Sequence, residues 1–240
     1  MQTLRLGLMR HGLRWIALTV VLGSAAVAKE QPQHDHLRHH QPNVTPTPAA
    51  EHQHQSHDVG PAGSTYDLRW IDAMVQHHTG ALRMSEFVFN VGSPGVGALA
   101  TTIWNDQAQE IKAMGQWRKA WYPQAPVVPV VLRPGGDPNA MADLMPMSAA
   151  QIEAMRMVAA PPTATTRVTW FLEGMINHHG GALQMAHDAL AQSTNPTIRR
   201  MARSIIVAQR REIINLRRML RRDGLEKSEY VQFDHLFTVK

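Results

Sequence analysis

The 240-residue sequence contains no cysteine. That excludes disulfide scaffolds, thiolate zinc and iron–sulfur sites, and cysteine nucleophile chemistry. Aromatic residues make up only 6%, and after the first 28 residues no apolar run has the length to span a bilayer. Serine-elbow, phosphate-loop, zinc-protease and dinucleotide signatures are all missing. What is abundant is donor chemistry of another kind: fourteen histidines and fourteen methionines. Any bound metal must be held by imidazole, thioether, carboxylate or backbone.

The N-terminus predicts export. Arg5, Arg10 and Arg14 precede the apolar run Trp15–Leu22, and small residues follow, ending Ala26-Val27-Ala28. This is the layout of a cleaved secretory signal peptide over 1–28, which directs the protein to the periplasm or the medium. Removing it takes three of the 24 basic residues and no acidic one, leaving a net charge of +2. Residues 29–63 then carry His34, His36, His39, His40, His52, His54 and His57 among Gln, Pro and Asp, with little to bury. The expectation is a disordered segment offering weak metal sites.

From residue 64 the pattern is helical and occurs twice. Residues 70–84 match residues 171–185, with Met74/Met175, His77/His178, His78/His179, Gly80/Gly181, Ala81/Ala182, Leu82/Leu183 and Met84/Met185 identical. Further on, Ser93-Pro94 matches Asn195-Pro196, each an expected N-cap with proline at the first helical position. Gln107, Glu110 and Ile111 match Gln209, Glu212 and Ile213. Between the two halves, Pro123–Pro146 reads as irregular, with an unpromising strand signal at Val127–Leu132. Ser148-Ala-Ala-Gln151 reads as a capping box opening a short helix that runs to Ala160. Arg222-Asp223-Gly224 closes the last helix, leaving 225–240 as a tail. The predicted fold is all-α: a ferritin-like four-helix bundle over 64–224, built from two repeated helical hairpins with a short extra helix in the crossover.

At about 100° per residue, Met74, His78, Ala81 and Ser85 share a face, with His77 and Met84 at its shoulder. Met175, His178, His179, Ala182 and Met185 form the same stripe, and Asp72 and Glu173 fall on the opposite, solvated side. Gln107, Glu110, Gln209 and Glu212 lie on the inward faces of the partner helices. Two readings compete. In one, methionine fills the core and the Gln and Glu residues merely satisfy the histidines. In the other, imidazole and thioether converge on a metal, and Gln107, Glu110, Gln209 and Glu212 fix the tautomers. Duplication of the block in an exported chain with a His-rich segment favours the second. Thioether and imidazole without thiolate suit copper, methionine favouring Cu(I) and histidine serving both oxidation states. Met141, Met145, Met147, Met155 and Met157 form a second thioether-dense zone, for which core filling is the simpler reading.

The doubled Met-x-x-His-His-x-x-Ala-x-x-Met block, followed by Gln-x-x-Glu-Ile, resembles the domain-of-unknown-function 305 family, which includes CopM-like periplasmic copper-binding proteins. The resemblance covers about residues 64–224. It implies a ferritin-like bundle that binds copper outside the cytoplasm for tolerance or delivery. The ligands it implies are Met74, His77, His78, Met84, Met175, His178, His179 and Met185.

A di-iron carboxylate enzyme needs Glu-x-x-His on two helices, and the sequence has it only at Glu51–His54. The expectation is therefore no enzymatic turnover. The alternative is an interaction protein at the cell envelope whose His and Met are structural. Arginines 199, 200, 203, 210, 211, 217, 218, 221 and 222 share one face of the last helix. A solvated face is the simpler reading, with an anionic membrane surface or a copper-transport protein as further partners and nucleic acid excluded.

Overall fold

The structure, a computed structural model, describes residues 57–92 and 95–239. The expected leader, the histidines from His34 to His54, and the Ser93-Pro94 cap lie outside the described residues. Among the described residues the protein is mostly helical, with five α-helices in the order α1 Tyr66–Glu86, α2 Val96–Trp121, α3 Ala149–Arg156, α4 Arg167–Gln192 and α5 Pro196–Arg222. No helix among them is long and apolar enough to cross a membrane.

The helices form where apolar residues recur at helical spacing, and each buries that stripe. Leu68, Ile71, Met74, His78, Ala81 and Ser85 are all buried along α1, with Val88 just past its end, and Phe171, Met175, His178, Ala182, Met185 and Ala189 along α4. α1 packs on α2, α4 packs on α5, and α1 and α4 meet between the two pairs. That meeting is pinned by the buried Trp70 indole, whose Nε1 donates to the Met185 carbonyl at 2.9 Å.

Several local signals work as read. Asn195 caps α5, its side chain accepting from Thr197 N, with Pro196 at the first helical position. Ser148 and Gln151 form a reciprocal capping box on α3. Gly224 adopts φ +71° just past α5, the backbone that a helix C-terminus requires. α3, however, stops at Arg156 rather than Ala160, because Met157 turns into the left-handed region. α2 starts at Val96 with Gly95 before it, two residues beyond the expected proline.

Three expectations are corrected. First, β1 Val130–Leu132 pairs antiparallel with β2 Leu144–Pro146, Val130 opposite Pro146. A two-stranded sheet consists entirely of edges, so Pro146 needs no ladder donor there. Second, Asp72 is buried rather than solvated. The crossover folds back over its face of α1, and Asp72 accepts from Arg118 on α2 and, at 2.9 Å, from Val130 N on β1. Third, residues 57–63 are placed against the body. Arg69, itself buried, donates to the carbonyls of Val59 and Pro61 and to Thr65 Oγ1. A guanidinium with fixed, multiple acceptors holds a chain segment tightly. His57 is consequently buried at 4% exposure and does not belong to a free segment.

The last residues also pack. Short 3-10 turns at Ser228–Val231 and Asp234–Leu236 lie along α4. Phe233 sits over Gly180, and His187 Nε2 donates to the Leu236 carbonyl at 2.9 Å. Glu173, half-buried rather than fully solvated, is bonded by Lys227 and Tyr230.

Candidate metal centre

All eight residues of the doubled motif lie in the core. Met74, Met84, Met175 and Met185 are at most 1% exposed, and His77, His78, His178 and His179 are fully buried. The α1–α4 seam brings His77 and His178 together, ring centroids 3.8 Å apart. His78 and His179 flank them at 6.3 and 6.2 Å from their sequence neighbours. The four imidazoles thus form one group across the interface.

Hydrogen bonding fixes which nitrogen two of the rings, His78 and His178, present. His78 Nε2 lies 2.8 Å from Glu110 Oε2 on α2. His179 Nε2 lies 2.7 Å from Glu212 Oε2 on α5, without hydrogen-bond alignment. His178 Nε2 lies 2.9 Å from the His77 carbonyl. Carboxylate and carbonyl oxygens only accept, so the Nε2 atoms of His78 and His178 carry the proton and leave Nδ1 with its lone pair. The Nδ1 atoms of His78, His178 and His179 have no partner in the protein, and neither nitrogen of His77 has one. Gln107 and Gln209, matched in sequence and both buried, are also unpartnered at both amide atoms. Each buried polar group left unpaired costs roughly 1–3 kcal/mol. Several of them amount to a large fraction of an ordinary domain's stability of about 5–15 kcal/mol.

Burial favours the neutral form of His77 and His178. Burial, reinforced by the neighbouring rings His178 and His57, holds His77 well below the ordinary 6.5. Burial, with His179 and His78 next to it, does the same for His178. Neutral imidazole is the form that binds metal. Asp106 is an unforeseen neighbour: burial, then Glu212 and Glu110, raise its carboxyl. It marks acidic character where α2 and α5 carry the two His partners.

The methionines divide. The Met84 methyl group reaches α4 at Gly174, where a Cβ would meet it at 2.8 Å. In the second thioether zone, Met141 and Met145 are exposed, while Met147 and Met155 are buried and line a cleft of about 580 Å³ with Asp58, Arg69 and Leu132. Met157 has its Sδ 2.8 Å from His57 Nε2. That pairing was not visible in the sequence, and its one trace was the glycine repeated as Gly80 and Gly181. A Cβ at Gly181 would meet His57 Nε2 at 2.7 Å and His77 Nε2 at 3.1 Å, and one at Gly80 would strike the Arg156 carbonyl. Among the described residues no three His, Asp or Glu side chains are grouped to hold an ion by themselves. Coordination here therefore calls for thioether or for adjustment of the rings. The donor set, neutral imidazole with thioether close by, fits a soft ion and suits a hard one poorly.

On the Arg-bearing face of α5, Arg199 bonds the Leu190 and Ser193 carbonyls, Arg210 the Phe237 carbonyl, and Arg217 the Asp234 carboxylate at 2.7 Å. Much of that charge is engaged within the chain.

Fold and site together define a mostly helical protein that gathers four histidines in a buried core between two helical pairs. The chain belongs to the domain-of-unknown-function family DUF305, which matches residues 67–220. Among solved structures, CopM in its Cu(II)-bound form is similar at 24% identity, covering 68% of this chain and 99% of CopM, with a TM-score of 0.51. CopM in its Cu(I)-bound form gives 25% identity, 65% and 96% coverage, and a TM-score of 0.49. A DUF305 fragment from Deinococcus radiodurans gives 25%, 68% and 99%, with 0.46. The first of these supports a shared helical fold. No curated protein matches the chain.

Proposed function

We propose that this chain is an exported copper-binding protein that sequesters or passes on the ion without chemical turnover. Its two sequence-matched helical pairs are, in this reading, a duplicated unit forming a ferritin-like four-helix bundle around the metal. The observation that carries it is the set of unpartnered Nδ1 atoms on His78, His178 and His179, with His78 and His178 oriented by hydrogen bonds through Nε2 and His179 Nε2 lying beside Glu212. Met74, Met84, Met175 and Met185 supply thioether in the same core. Copper, the cargo, matches imidazole and thioether better than zinc does, and a singly charged ion is less costly to desolvate than a doubly charged one. CopM was solved with copper bound; that is a property of CopM, and the case for this chain rests on its own residues.

The test is the double replacement His78→Ala and His179→Ala. Alanine favours helix, so helicity should persist while tight Cu(I) binding, read by competition with a calibrated chelator, is lost. Zinc titration and oxygen consumption are measured in parallel. Unchanged copper affinity would support the alternative, in which Glu110 and Glu212 simply satisfy structural histidines. A preference for zinc, or sustained oxygen uptake, would contradict the ligand assignment or the absence of turnover.

A further inference from the structure

His57 enters the core from outside both helical pairs. Its Nε2 sits 2.8 Å from Met157 Sδ, and its ring stands edge-on to His77 with centroids 5.5 Å apart. His57 Nε2 and His77 Nε2 both crowd the bare Cα of Gly181, within 3.1 Å of the point a Cβ would occupy. Two imidazole nitrogens and one thioether sulfur therefore surround a single small region.

Two features hold these donors in place. Met157 ends α3 at φ 52° and ψ 32°, the left-handed region where glycine is the usual residue. Methionine at this position keeps a side chain where glycine would have none, and its sulfur is the atom that meets His57. On the other side, Arg69 ties down the Val59 and Pro61 carbonyls, fixing the segment that follows His57.

We propose that His57 Nε2, His77 Nε2 and Met157 Sδ form a second soft-metal position, separate from the Nδ1 set of His78, His178 and His179, that takes a monovalent copper or silver ion. The donor set contains no anionic ligand and includes a thioether, which favours a soft ion of low charge over a divalent one in a buried setting. A d¹⁰ ion imposes no ligand-field geometry and accepts few donors. The proposal deepens the copper-binding reading and uses none of the Nδ1 donors that reading rests on.

The experiment uses the chain from residue 29 to 240 and titrates silver(I), and copper(I) without oxygen, against a competing ligand. Sulfur coordination is followed by X-ray absorption. Met157→Leu keeps bulk at the helix end and removes the donor; His57→Gln keeps a polar group and serves if the first variant fails to fold by circular dichroism. The expected result is loss of one equivalent of silver and a smaller sulfur contribution in either variant, with the ion removed by His78→Ala/His179→Ala retained. Unchanged stoichiometry and sulfur signal, with affinity within about twofold, would overturn the proposal. Failure of the two readings is distinguishable. If the double alanine variant loses an ion and Met157→Leu loses none, only the second position falls. If Met157→Leu loses one and the double variant none, the second position stands and the Nδ1 assignment falls. A wild-type chain that binds no monovalent ion overturns both.

Discussion

Gly80 and Gly181 occupy matching places in the two sequence blocks, yet a methyl group would meet different obstacles at each. At Gly80 the obstacle is the backbone carbonyl of Arg156, in the last turn of α3. That turn is fixed by the capping box at its start and by Met157 at its end, so the carbonyl has little freedom to retreat. Forced overpacking costs about 1–3 kcal/mol, and here the upper end applies. Alanine recovers about 1 kcal/mol of helix propensity, leaving Gly80→Ala destabilised by about 2 kcal/mol. For a domain of this size the melting temperature should fall by roughly 4–8 °C. At Gly181 the obstacles are the tips of two imidazole side chains, which can turn aside. The steric cost sits near the low end and the propensity gain cancels it, so stability should hardly change. Binding should change, because His57 and His77 can no longer keep their Nε2 atoms in place. Thermal melts followed by circular dichroism, paired with silver(I) or copper(I) competition, would read both quantities. If Gly80→Ala melts at or above the wild-type temperature, or Gly181→Ala binds monovalent ions as the wild type does, the packing argument is refuted.

Two further outcomes follow from the geometry. In metal-free protein, burial keeps the folded pKa of His77 and His178 below the ordinary 6.5, so on acidification the unfolded chain takes up protons first. Stability should be level above about pH 7 and fall below 6.5 by about 1.4 kcal/mol per pH unit for each ring. The unfolded rings are half protonated at pH 6.5, so the combined loss between pH 6.5 and 5.5 is about 2 kcal/mol, visible in urea midpoints, and His77→Gln/His178→Gln should flatten the slope. Deleting residues 29–56, which retains His57, should remove weak copper(II) sites that fade as pH drops through roughly 6.5 and leave the core sites intact. If the shortened protein bound no copper, the His-rich segment would be the functional element.

Much of the architecture was legible because it is local. Capping chemistry at Ser148–Gln151 and Asn195-Pro196, the stop at Asp223-Gly224, and the spacing that turns His77, His78, His178 and His179 inward all depend on residues within a few turns of each other. The expectations that failed depend on distant chain. Asp72 reads as solvated until the crossover, 58 residues on, brings Val130 N to it. His57 reads as part of a polar segment until the buried Arg69 captures the carbonyls just after it. The early end of α3 at Met157 runs against the local pattern, since nothing nearby in sequence calls for a left-handed methionine. The meeting of His57 with Met157 spans 100 residues and has no signature that periodicity could reveal.

Asp72 and Glu173 stand at corresponding places in the two sequence blocks, and each draws in the chain that follows its own helical pair. Asp72 takes Arg118 and the β1 backbone; Glu173 takes Lys227 and Tyr230, whose hydroxyl is pushed up to about 12 by burial and by that carboxylate. For anyone re-engineering this protein, the consequence runs against the helical wheel. These two acids look like the safest positions on α1 and α4 to resurface for solubility or labelling. Replacing Asp72 would leave Arg118 without its carboxylate and β1 without its anchor, and replacing Glu173 would free the C-terminal wrap. The residues open to such changes are the exposed ones on α2 and α3, such as Gln109, Gln116 and Ala150.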